Sequence, residues 1–266
     1  MKRKFRLSIR YFRELFLVLR NLKYLNNLRL EHRRGSGENP NAFQIAYQLA
    51  KSGPEKNYSI YRPEDRSNDL PLLYGHDSRV SCIHVNGIAT DVPKAFREVS
   101  EVSHLFGRPF VLFYNNTNGF WQDLYDCFRM KVRNKSDYNS DGLCELIIKE
   151  HDKKNIKNFV LSGYSQGSII VCHAIDKLPK RVKKNIHITL LTTGSAQDEL
   201  GEFNGNAIHV AHKGDFVARI GALHYKKNIE GEIKSFEKRE HGFKYYLATI
   251  KSRKLLNGIK KEVIKK

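Results

Sequence analysis

Residues 158 to 175 read Asn-Phe-Val-Leu-Ser-Gly-Tyr-Ser-Gln-Gly-Ser-Ile-Ile-Val-Cys-His-Ala-Ile. An apolar stretch suited to a buried strand runs into Gly163-Tyr-Ser-Gln-Gly167, and an apolar helical run leaves it. The two glycines flanking Ser165 make room for a turn too crowded for larger residues. A strand that passes straight into a helix is half of a right-handed crossover, so it predicts a parallel sheet covered by helices. The turn would hold Ser165 at the C-terminal edge of that sheet. Behind it, the N-terminus of the helix presents backbone N–H groups, that of Gln166 first, where a developing oxyanion would lie.

The rest of the chain from residue 80 repeats this alternation. Strands are expected at 80–85, 109–114, 158–162, 186–191, 207–211 and 232–236, and helices at 92–106, 120–131, 141–151, after the Ser165 turn, and at 243–254. The fold class expected is α/β, with a mostly parallel sheet and helices on both faces, preceded by a basic N-terminal helical segment. Three regions follow: a basic amphipathic segment over 1–35, an irregular lead-in over 36–79 holding Pro54, Pro63 and Pro71, and the α/β domain over 80–266. A short helix is expected at 42–51 within the lead-in, and Arg33 to Pro40 is a breaker cluster.

Chemistry in such sheets gathers at the C-terminal strand ends. Asp215 follows the strand at 207–211, where a carboxylate could hold an imidazole in one tautomer. Asp198, farther into a loop after the preceding strand, is the alternative acid. His241 follows the last strand and precedes the last helix, the place for a general base. His224, nine residues after Asp215, is the alternative base. The turn Asn86-Gly87 after the first strand suggests Ile88 as a second oxyanion donor, with Thr90 or Asp91 capping the next helix. Phe120 and Trp121 are apolar candidates for the substrate side. His209, His212 and Asp215 have metal-like spacing, but residues three apart on a strand face opposite ways, so no metal is expected. No cofactor is expected either.

The net charge is +19, and residues 2–34 supply +9 of it and residues 251–266 another +6. Such arms suit an anionic partner. Phe5, Ile9, Phe12, Phe16, Leu19 and Leu22 recur near helical spacing between the N-terminal Arg and Lys residues, which suits peripheral contact with an anionic membrane. The competing reading packs Phe5, Phe12, Phe16 and Leu19 on the core. Nucleic acid is disfavoured because no recognition motif accompanies the charge. The longest N-terminal apolar run, Leu15 to Leu19, is far too short for a secretory leader or a span. Cys82, Cys127, Cys144 and Cys172 show no paired spacing and read as reduced, so a cytoplasmic location is expected. Oligomeric state is not encoded in any of these patterns.

Residues 80 to 250 resemble lipases and esterases of the α/β-hydrolase superfamily. Gly163-Tyr-Ser-Gln-Gly167 is similar to the nucleophile elbow of cutinase-type serine esterases, and Asn86-Gly-Ile88 stands where many lipases carry His-Gly-x. Thr193-Gly-Ser-Ala196 and Lys213-Gly-Asp-Phe-Val217 are similar to segments of fungal-type lipases, although Ala218 replaces an expected proline. His241-Gly-Phe243, with Tyr245 or Tyr246, also resembles hydrolases of chlamydia-like intracellular bacteria. The resemblance implies a serine hydrolase acting on a carboxylic ester of lipid or acyl type, with Ser165, His241 and Asp215 as triad and the N–H groups of Ile88 and Gln166 as oxyanion hole. The alternative is a non-catalytic protein of this fold that binds an anionic partner through its basic ends.

Overall fold

The computed structural model describes residues 13–24, 58–62, 79–116, 120–133 and 138–256. The expected helix at 42–51, the breaker cluster at 33–40, the basic C-terminal end beyond 256, and the N-terminal segment outside 13–24 lie beyond the described residues. In chain order the elements are α1 (13–21), β1 (Tyr58–Tyr61), β2 (Val80–Val85), α2 (Val92–Phe106), β3 (Val111–Asn115) and α3 (Phe120–Arg133). There follow α4 (Tyr138–Lys154), β4 (Asn158–Tyr164), α5 (Gln166–Lys177), α6 (Lys180–Asn185), β5 (His187–Thr193), β6 (Gly205–His212), α7 (Phe216–Ile220), β7 (Glu232–Phe236) and α8 (Phe243–Ser252).

The seven strands form one sheet in the order β1-β3-β2-β4-β5-β6-β7. Every pair is parallel except β1 with β3. This is the mostly parallel sheet with helices on both faces that the alternation of elements predicts. Side chains alternate between its two faces as strand geometry requires. On one face Ile83, Val85, Phe113, Phe159 and Leu161 pack with Leu143 and Ile147 of α4 and Ile169 to Ile175 of α5. On the other, Cys82, Leu112, Tyr114 and Val160 pack with Val99 and Val102 of α2 and Tyr246, Leu247 and Ile250 of α8.

One departure concerns the lead-in. Tyr58–Tyr61 is not irregular but forms the antiparallel edge strand, with Tyr58 opposite Asn115, so the sheet begins before residue 80. Prolines on either side mask it in the sequence, and an edge strand is where they are tolerated. Its packing is aromatic. Tyr58 stacks on Phe113 at 4.7 Å, and Gly142 in α4 leaves the room that the Tyr58 ring occupies. The short helices α6 and α7 also escape a periodicity reading. α6 is six residues, almost all charged or polar, and buries only Val182.

The termini of the longer helices follow local chemistry. Asp91, not Thr90, caps α2, its carboxylate accepting from the Lys94 N–H at 2.7 Å, and Gly107 ends that helix in the left-handed region at φ 68°. The order of the sheet also fixes where chemistry can occur. From β2 the chain moves to β3 on one side, while β4 pairs on the other. The direction of winding therefore reverses between β2 and β4, which places the chemistry beyond their C-terminal ends.

Candidate active site

Ser165 stands between β4 and α5 with φ 53° and ψ −118°. A non-glycine residue in this region is strained by about 1–3 kcal/mol and persists only where its surroundings fix it. Here they do. The Ser165 N–H donates to the Thr193 carbonyl at 2.9 Å, and the Ser168 hydroxyl closes the turn onto the Gly163 carbonyl at 3.0 Å. A Cβ on Gly163 would stand 2.8 Å from the Gly167 oxygen. One on Gly167 would stand 2.6 Å from the Asn86 carbonyl oxygen, so Gly167 makes room for the end of β2, not for its own preceding strand. Ser165 caps α5 with its backbone alone. Its hydroxyl is left to another partner.

That partner is His241. Its Nε2 lies 3.0 Å from Ser165 Oγ, and its Nδ1 lies 2.8 Å from Asp215 Oδ2. All three residues are buried. An ionised Asp215 can only accept, which assigns the proton to Nδ1 and leaves the Nε2 lone pair for the serine O–H. The ring is held on both sides. It stacks against Tyr164 at 5.2 Å, and its backbone carbonyl accepts from the Tyr164 hydroxyl at 3.0 Å. Tyr246 meets it edge-on.

Asp215 is fully buried, so its charge must be met by donors. Oδ1 accepts from the Val217 N–H at 2.8 Å, capping α7. Oδ2 accepts from the Tyr246 hydroxyl at 2.5 Å as well as from His241. The same Tyr246 oxygen accepts the His212 N–H at 3.1 Å. Burial first, and then the charge of Asp215, push the Tyr246 phenol well above its ordinary range, which keeps it a donor. The sequence pointed to Tyr246 only through a resemblance that left it tied with Tyr245.

The turn after β2 lies against the serine. A Cβ on Gly87 would stand 3.0 Å from Ser165 Cβ and 2.9 Å from the Tyr164 ring. The backbone leading into Ile88 thus runs alongside Ser165, with Ile88 itself buried. Gln166, as the first residue of α5, has no carbonyl within its own helix for its N–H. Two sets of contacts fix this loop that sequence reasoning missed. Asp123 of α3, buried, accepts from the Ala89 N–H at 2.9 Å. Asn115, at the end of β3, exchanges bonds with the Asn86 side chain: its N–H donates to Oδ1 at 2.8 Å and its carbonyl accepts from Nδ2 at 2.9 Å. Its own amide donates to Gln166 Oε1 and accepts from Asn139 Nδ2, both at 2.6 Å. A bond ladder thus joins the loop before Ile88 to the residue after Ser165. Only Asn residues at strand ends, unremarkable in a sequence, signalled it.

The alternatives are not brought to this site. His224 is largely exposed and lies edge-on to Tyr225, near Lys131, where the partial covering of its ring and then the Lys131 charge lower its pKa. Asp198 is buried near Cys172 and Tyr225, whose groups it helps push up after burial itself. His209 and His212 face opposite ways. His209 meets Thr192, Gln197 and the Glu230 carbonyl, and His212 meets Thr249 and the Glu240 carbonyl. Among the described residues no three His, Cys, Asp or Glu side chains cluster as a metal site would need. The four cysteines are free and buried. No described helix is long and apolar enough to cross a membrane. Phe120 and Trp121 open α3.

A family model described as bacterial virulence protein (VirJ) matches residues 125–224. No curated protein matches the chain. Among solved structures, a Trichoderma reesei cutinase in complex with a phosphonate inhibitor is 18% identical with a TM-score of 0.37; the match covers 53% of this chain and 64% of the cutinase. The poly(3-hydroxybutyrate) depolymerase LpqC from Bordetella parapertussis is 12% identical with a TM-score of 0.46, over 79% of this chain and 93% of its own. A Pyrococcus furiosus esterase is 10% identical with a TM-score of 0.43, over 85% and 97%. None of these three is from a chlamydia-like bacterium, and that likeness goes no further than the residues that suggested it.

Proposed function

We propose that this protein is a serine hydrolase that cleaves a carboxylic ester, of lipid or acyl type, through Ser165, His241 and Asp215. The single observation that carries the reading is the imidazole of His241, held between Asp215 Oδ2 at 2.8 Å and Ser165 Oγ at 3.0 Å. The strained Ser165 backbone supports it, since strain of this kind collects where a group must be aimed.

The reaction follows from these groups. Ser165 Oγ attacks the ester carbonyl carbon while His241 Nε2 takes the serine proton. Negative charge moves to the carbonyl oxygen, which faces the N–H groups of Gln166 and Ile88. Asp215 stabilises the imidazolium. Collapse of the tetrahedral species breaks the bond to the alcohol, which leaves with the proton from His241. Water then gives a proton to His241 as its oxygen attacks the acyl-serine carbonyl; collapse of this second tetrahedral species breaks the bond to Ser165 Oγ, which takes the proton back from His241 as the acid leaves. No metal or cofactor takes part. The basic ends suit an anionic surface as the setting in which the substrate is met.

The test is hydrolysis of short- and long-chain p-nitrophenyl esters by the purified full chain. Turnover should fall by roughly 10³-fold or more in Ser165→Ala and in His241→Ala, the scale on which triad removal acts. Folded protein with no turnover would leave a binding protein of this fold in place of an enzyme, and turnover unchanged in Ser165→Ala would remove Ser165 from the role of nucleophile.

A further inference from the structure

Helix α1 carries its residues the wrong way round for a helix that merely completes a core. Its inward stripe is Glu14, Leu17 and Asn21, all buried. Glu14 pairs with Lys131 Nζ at 2.7 Å and accepts from the Tyr225 hydroxyl, and Lys131 also donates to the Ile220 carbonyl. Burial opposes the Glu14 charge, but Lys131, Tyr225 and Arg13 outweigh it and hold the carboxyl below its usual range. Asn21 Oδ1 accepts from Arg219 Nε at 2.8 Å, and Arg219 lies over the Tyr24 ring.

Its outward face carries large apolar side chains among basic ones. Leu15 is 37%, Phe16 66% and Leu19 55% exposed, three of the five large exposed apolar side chains among the described residues. A helix packed for burial would turn Phe16 and Leu19 inward and Glu14 and Asn21 outward. Water outside favours the same orientation. The observed one suits an apolar medium on the outer side. Arg20, one turn from Phe16, and Lys23 are exposed beside them, within a segment of net charge +9 over residues 2–34.

We propose that the outer face of α1 docks on an anionic phospholipid surface. Phe16, Leu19 and Leu15 enter the headgroup–acyl boundary, and Arg20 and Lys23 meet lipid phosphates and carboxylates. Charge selects this occupant: a second copy of the chain would bring like charge to the face, and a nucleic acid would make no use of Phe16 and Leu19. The buried Glu14–Lys131 pair and the half-buried Asn21–Arg219 bond fix the docking helix to α3 and to the segment that follows Asp215.

The test is co-sedimentation of the full chain with vesicles of phosphatidylcholine alone and of phosphatidylcholine with phosphatidylserine. Binding is expected only with phosphatidylserine, and it should weaken as salt is raised. Phe16→Ser with Leu19→Ser should weaken binding at least about tenfold while leaving the melting temperature unchanged. Arg20→Glu with Lys23→Glu should weaken it comparably. Equal binding to both vesicle types, no binding to either, or undiminished binding by the Phe16/Leu19 variant would overturn the proposal. So would a lowered melting temperature in that variant, which would mean that the two side chains pack on the protein. Self-association in solution that the variant abolishes would assign the face to a second copy instead. Since sedimentation does not read catalysis, these outcomes are independent of whether Ser165 acts as a nucleophile.

Discussion

Replacing Asn115 by alanine should separate two roles that the amide ladder combines. The substitution keeps both backbone bonds to Asn86 and removes the bonds to Gln166 Oε1 and Asn139 Nδ2, each 2.6 Å long. Gln166 is buried, so its orphaned oxygen costs about 1–3 kcal/mol; Asn139 is half-buried and its loss lies at the lower end. Together the expected destabilisation is about 2–4 kcal/mol, a fall in melting temperature of roughly 4–10 °C for a chain of this length. Gln166 carries the backbone N–H that would face the oxyanion, and Asn86 precedes the loop that carries the other. Loosening their link should therefore lower kcat by about 10–100-fold and change KM by less than about twofold, because the misplaced groups act mainly on the transition state. Thermal unfolding and steady-state hydrolysis of p-nitrophenyl butyrate measure the two effects separately. Loss of stability with an unchanged kcat would show that the ladder only holds the strand ends together and does not aim the oxyanion donors.

Other expectations follow from the same geometry. His224→Ala should retain activity within about twofold, since His224 is exposed and lies near Lys131, away from Ser165; loss of turnover comparable to that of His241→Ala would reassign the base. Tyr246→Phe removes one donor from Asp215 and strands the buried His212 N–H, and should destabilise the fold by about 2–4 kcal/mol in urea unfolding; an unchanged midpoint would mean that this bond contributes nothing. Burial brings the His209 imidazole down to about 4 from an ordinary value of 6.5. Above pH 6.5 both states are neutral, but as pH falls through 6.5 toward 4 the unfolded chain takes up a proton that the folded one refuses. Stability should drop by up to about 3 kcal/mol over that window, and His209→Gln should flatten the drop in urea midpoints; equal slopes for both proteins would exclude His209 as its source.

The parts of this fold that sequence exposes are those whose period is uninterrupted. β2, α2 and β7 fall at the residues expected, because each combines a clear pattern with a cap or turn at its ends. The Ser165 turn is legible for a different reason: its glycines are required by backbone contacts, which no other residue type could make. β1 was hidden because an edge strand of four residues has too few positions for alternation to register and lies among prolines. The proximity of Ser165, Asp215 and His241 depends on where β4, β6 and β7 end, and strand order supplies that. The ladder through Asn115 is invisible in one dimension, because an asparagine at a strand end looks the same whether it caps a turn or links two loops. The orientation of α1 was undecided for a like reason. Its apolar residues recur around much of the helix, and only the Lys131 and Arg219 partners show which side turns inward.

If Ser165 is a nucleophile activated by His241, it should react with an electrophile that mimics an acyl group. Treatment of the folded full chain with a fluorophosphonate, followed by intact mass and peptide mapping, tests this most directly. A single adduct is expected on Ser165, absent in Ser165→Ala and formed at least about 10³-fold more slowly in His241→Ala. An adduct that persists in folded Ser165→Ala, or no adduct on a folded wild-type chain, would contradict the account.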